Sequence, residues 1–162
     1  MCSNGYVLAD VLVTDLSDME RHWLHLVRLQ CSSYEHNHAE GLDRAIDHAE
    51  VQFGADTGPE IASRIAVLIR AMRAERRGGF GYLSPFCPNC RKRITKDEWQ
   101  LVALMQAGYR GEARGIEEAA KEFAQCAAAP ELIAAAKRFG FCAAAATGGR
   151  RSLRPVPAIT LH

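Results

Sequence analysis

No stretch of the chain approaches the roughly 18 consecutive apolar residues that a membrane span needs. The start, Met1-Cys2-Ser3-Asn4, lacks the basic opening and apolar core of a secretory signal. A reducing, cytoplasmic setting without membrane contact is the expectation that follows. A second Cys-x-x-Cys pair is missing too. The cysteines outside the one pair (Cys2, Cys31, Cys126 and Cys142) follow no framework spacing, which argues against a disulfide-stapled secreted scaffold. Nor is there a Ser/His/Asp order, a phosphate-cradling glycine loop before a helix, or a His-Glu-x-x-His motif. No catalytic residue stands out, and the expectation is a non-enzymatic protein.

What is present suits a globular domain. With 162 residues, 48% of them hydrophobic and 24% charged, the chain can bury a core without staples. The formal net charge is only +1, yet residues 1–60 carry 11 acids against three arginines, and 61–162 carry 17 basic residues against eight acids. Such asymmetry marks either an anionic partner for the basic half or two halves that face each other.

Helical signals recur along the chain. Ser17-Asp18-Met19-Glu20 is a capping-box pattern opening a helix with Met19, Trp23, Leu26, Val27 and Gln30 on one stripe, ending near Ser33. A second helix is expected over about 39–53, with Leu42, Ala45, Ile46, Ala49 and Phe53 inward. Thr57-Gly58-Pro59-Glu60 opens a third, whose Ile61, Ile65, Leu68, Ile69 and Met72 give the clearest periodicity. Thr95-Lys96-Asp97-Glu98 is another capping box, with Gly108 as the expected stop. Two alanine-rich helices, about 112–128 and 130–146, complete the set. The apolar opening Tyr6–Val13 has no obvious strand partner and reads as an arm packed on the helices. The expected fold is therefore a single all-α domain of five or six helices over 1–146, followed by a frayed tail over 147–162. Trp23, Ile65, Leu68, Ile69, Trp99 and Leu104 are expected to share one core.

The chemically specific feature is Cys87-Pro88-Asn89-Cys90, within an irregular loop at 84–93. Two thiolates at this spacing can share one tetrahedral ion, with the turn aiming backbone N–H groups at the sulfurs. The preceding Phe86 and the following Arg91-Lys92-Arg93 resemble one half of a zinc ribbon or knuckle. Structural zinc is the expected cofactor, on Cys87 and Cys90 with His22 and His25, which lie one helical turn apart. Cys31, His36, His38 and His48 are substitutes, and an all-cysteine site shared across a dimer is a further way to complete it. The whole reads as a metal-stabilised binding or regulatory protein that engages another protein or a second copy of itself.

Two alternatives stand beside it. A thiol redox protein would use Cys87 and Cys90, but needs the first of them at a helix N-terminus, and the next cap is as far away as Thr95. A small nucleic-acid binder would use the basic segment 70–96, through Arg76, Arg77, Arg91, Lys92 and Arg93.

Overall fold

Capping groups set most of the helix boundaries. The fold is read from a computed structural model, which describes residues 6–148. Helix α1 (Asp18–His36) begins on the Ser17 box: the Ser17 hydroxyl accepts from the Glu20 amide at 3.3 Å, and the Glu20 carboxylate accepts from the Ser17 amide at 2.8 Å. It ends on Asn37 with φ 53°, a left-handed conformation that asparagine adopts more readily than most residues. Helices α2 (Glu40–Phe53) and α3 (Gly58–Glu75) follow, α3 with Pro59 in its first turn. Helix α4 (Lys96–Arg110) starts on the Thr95 box. It runs past Gly108 and stops at Gly111, whose φ of 72° suits glycine. Helices α5 (Ala113–Ala124) and α6 (Pro130–Ala146) complete an all-α domain of six helices among the described residues. The cap of α6 comes from elsewhere: Glu75, the last residue of α3, accepts from the amides of Glu131 and Leu132, each at 2.9 Å.

The opening segment is not an arm. Strand β1 (Val7–Leu12) pairs antiparallel with the three-residue strand β2 (Arg93–Thr95), Val7 opposite Thr95 and Leu12 opposite Arg93, with an irregularity between. Its partner lies more than eighty positions away, between the cysteine loop and α4, so local pattern could not reveal it. The ribbon brings Leu8 and Ile94 onto Leu16, Leu24, Trp99 and Val102, forming a small second cluster.

The main core gathers Trp23, Ile65, Leu68, Ile69 and Leu104 with Tyr109, Phe123 and Phe139. Trp99 is buried, but in the second cluster under the strands rather than with the other five. Ile46, expected inward on α2, is 42% exposed. Its neighbours Ala45 and Ala49 are the buried residues of that face, because α2 lies close enough to α1 and α3 for small side chains to make the contact. The expected tail lies outside the described residues, apart from Thr147 and Gly148. Among the described residues, no helix is long and apolar enough to cross a membrane.

Helices α4 and α6 touch backbone to backbone. A Cβ added at Gly108 would stand 2.3 Å from the Ala136 carbonyl oxygen, and one at Gly140 would stand 1.9 Å from that of Gly108. Both are far inside any real contact, and the obstacle is backbone that cannot swing away. Alanine is the better helix former by roughly 1 kcal/mol, so propensity and packing make opposite demands here. Packing is expected to win: Gly108→Ala or Gly140→Ala should lower the urea-unfolding free energy by about 1–3 kcal/mol. Gly79→Ala, with nothing within 4 Å of the new Cβ, should change it by less than about 0.5 kcal/mol. A stabilised Gly108→Ala protein would mean the helices stand further apart than described.

Candidate metal centre

The cysteine loop is reached through a segment pinned at several points. Arg76, the residue after α3, donates to Asp97 at 2.7 Å and to the Gly79 carbonyl at 3.1 Å, and its guanidinium lies 4.6 Å from the Phe123 ring centre. Asp97 also accepts from the Gly81 amide at 2.8 Å. One residue on, the Tyr82 hydroxyl donates to Glu35. Next, the amide of Leu83 donates to Glu98 at 3.0 Å. These contacts deliver residues 84–93 to one side of α1.

In the loop itself, the Cys90 amide points at the Cys87 sulfur, with a nitrogen–sulfur distance of 3.4 Å, and the Arg91 amide donates to the Cys87 carbonyl at 3.0 Å. This is the turn that the Cys-x-x-Cys spacing implies, with a backbone donor aimed at a sulfur. Cys90 is buried and Cys87 half-buried. Phe86, Pro88, Asn89, Arg91, Lys92 and Arg93 are exposed around them.

Beneath the turn lies the buried pair Arg28–Glu98, their side chains 3% and 0% exposed. The guanidinium meets the carboxylate as a fork, Nε to Oε1 at 2.6 Å and Nη2 to Oε2 at 2.8 Å. Its remaining donors reach the loop backbone: the Arg93 carbonyl at 2.7 Å and the Cys90 carbonyl at 3.5 Å. Glu98 is at the same time the capping-box glutamate of α4, accepting from the Thr95 amide at 2.9 Å. One carboxylate thus terminates a helix, an arginine and the loop entrance together. The sequence marks Glu98 only as the capping-box partner of Thr95; it and Asp97 each also hold an arginine from a distant segment.

The histidines gather elsewhere. Nδ1 of His22 stands 3.1 Å from Nε2 of His48 on α2, and the His25 ring centre lies 4.6 Å from that of His48. Burial holds all three imidazoles towards the neutral form, with His25 brought down to about 4 by burial first, then by His48, Arg28 and Arg91. His22 and His25 therefore meet a third histidine rather than the cysteines: among the described residues no three His, Cys, Asp or Glu side chains form a group able to hold a metal ion. The expected four-ligand set of Cys87, Cys90, His22 and His25 is not assembled. The rings of His22 and His25 lie against His48 on α2, while Arg28, three residues further on, reaches Glu98 and the loop backbone.

The substitutes are dispersed as well. Cys31 is buried, and burial with Glu98 and Glu35 nearby pushes its thiol up to about 12, which leaves it protonated. His36 and His38 stack on each other and line a cleft of about 290 Å³ with Glu35, Tyr82 and Phe86. Of the basic residues, Arg76 has its side chain 3% exposed and committed to Asp97, so it does not belong to an anion-facing surface. Arg77, Arg91, Lys92 and Arg93 are exposed. The cysteine pair leads into a three-residue 3-10 turn, Cys90–Lys92, and the next α-helix begins at Lys96. That is not the helix start a thioredoxin-type pair uses.

No family model, curated protein or solved structure matches the chain. The chemistry of the site therefore stands on its geometry.

Removing one member of a buried ion pair leaves the other charged and dry, at a cost of about 3–5 kcal/mol. Arg28→Met is expected to lose that much in denaturant unfolding. Arg28→Lys should recover little of it, since an ammonium cannot make the two-pronged contact. A loss below about 1 kcal/mol for Arg28→Met would remove the pair from the centre of this account.

Proposed function

We propose that this chain is a non-enzymatic, zinc-dependent binding protein whose contact surface is the loop around Cys87 and Cys90. The observation that carries the reading is the Cys90 amide directed at the Cys87 sulfur at 3.4 Å. An amide aimed at a cysteine sulfur supports a turn that holds an ion on two sulfurs. Two sulfurs fill two of the four tetrahedral positions. The other two would come from donors outside the described residues, of this chain or of a partner. A second copy of the chain, presenting the same pair, would complete a four-sulfur site and couple metal binding to self-association.

The surroundings suit a contact surface. The loop's base is fixed by Arg28 and Glu98, while its tip carries an exposed aromatic, Phe86, and three exposed cations, Arg91 to Arg93. Aromatic and arginine side chains are the residues that anchor interfaces. The same cations support the second reading, contact with nucleic acid phosphates, though without Arg76.

Protein purified under reductant is expected to carry one zinc per two chains and to sediment as a dimer. A chelator, or the double substitution Cys87→Ser with Cys90→Ser, should return it to a monomer. Metal-free, monomeric wild-type protein that adds no zinc on titration would rule the reading out. Affinity for single-stranded or duplex DNA or RNA that falls steeply with salt, in that same protein, would install the nucleic-acid reading in its place.

A further inference from the structure

We propose that His22 and His48 form a second, separate binding site for a divalent transition-metal ion of the zinc and nickel class, bridging α1 and α2. The proposal goes beyond the cysteine loop and does not depend on it. Its basis is a distance. Two imidazole nitrogens bound to one tetrahedral ion at about 2.0–2.1 Å stand roughly 3.3 Å from each other; His22 Nδ1 and His48 Nε2 stand 3.1 Å apart. Binding requires both rings to tilt so that their lone pairs meet on an ion off the line joining the nitrogens, a side-chain movement rather than a refolding of either helix.

The rings are half-buried, which limits their freedom and lowers the ordering cost of binding. Asp18 acts on His22, opposed by Arg21. His25, whose ring centre is 4.6 Å from that of His48, packs beside the pair but makes no three-ligand group with it, so the remaining positions on the ion would fall to water. Edge-on contact with Phe53 closes the apolar side of His22.

An imidazole pair at this distance can also be a plain N–H···N hydrogen bond, and the test separates the two. The full chain, stripped with a chelator, is titrated with Zn²⁺ and with Ni²⁺ by calorimetry, in wild type, in the Cys87→Ser, Cys90→Ser double variant, and in that variant with His48→Gln or His22→Gln added. Glutamine keeps a hydrogen-bonding group in place but is a poor ligand for these ions. The double cysteine variant should still take up one ion per chain, and its binding should be at least tenfold weaker when either histidine is also glutamine. Circular dichroism confirms that each variant is folded; should one glutamine variant fail to fold, the other decides. Equal uptake by the histidine variants, or complete loss of uptake in the cysteine variant, overturns the proposal. Because the cysteine variant carries the decisive signal, failure of this site and failure of the loop reading are seen independently.

Discussion

A charged pair sealed from water is costly unless both partners are saturated with hydrogen bonds, and the Arg28–Glu98 pair shows what such saturation demands of a fold. The carboxylate needs the α4 start, the Leu83 amide and the guanidinium at once; the guanidinium needs two loop carbonyls as well as the carboxylate. Those contacts come from four separated stretches of chain. Misplacing any one of them strands a charge in the interior. The pair therefore fixes where α1, the cysteine loop, β2 and the start of α4 lie relative to each other. Arg76 and Asp97 repeat the device one residue earlier, joining the end of α3 to the same helix start. Consecutive acids in the first turn of α4 thus anchor two arginines, one within α1 and one just past the end of α3.

Around this polar joint the bundle closes by ordinary means. Glycine and alanine let α4 and α6 meet at backbone distance, while the large residues Trp23, Tyr109, Phe123 and Phe139 fill the space beside them. The cluster under the strands is separate, and its Trp99 and Val102 come from the opposite side of α4 to Leu101, Leu104 and Met105. Helix α4 is consequently buried on two sides, which explains why its apolar residues do not form one simple stripe. The two halves of the chain meet through single contacts: Arg28 pairs with Glu98, and Tyr34 and Phe86 each lie under an arginine from the other half.

The helices were legible because their signals are local. Both capping boxes, Pro59 in its first turn and the isoleucine spacing of α3 all act within a few residues, and all are found where the sequence places them. Gly108 misled for a physical reason: glycine suits a helix end and equally a close crossing, and only the presence of α6 distinguishes them. The two-strand ribbon was hidden because its second strand is three residues long and resembles a cap region. The Cys87–Cys90 turn was readable from spacing. Its surroundings were not, since Arg28 and Glu98 stand 70 positions apart and no local pattern marks an arginine on a helix as buried. His48 shows the same limit: the i, i+3 pair His22 and His25 is visible in the sequence, but the partner that receives it lies on another helix.

The base of the cysteine loop is held by the buried ion pair, whatever occupies its tip. Amide hydrogen exchange on chelator-treated wild-type protein tests this directly, read at Leu83 and Thr95, whose amides end on Glu98. Both amides are expected to remain protected to nearly the extent of the α4 core without metal, and Arg28→Met is expected to remove the protection. Exchange at the rate of an open loop in the metal-free wild type, restored to slow exchange by zinc, would contradict it and make the metal the foundation of this part of the fold.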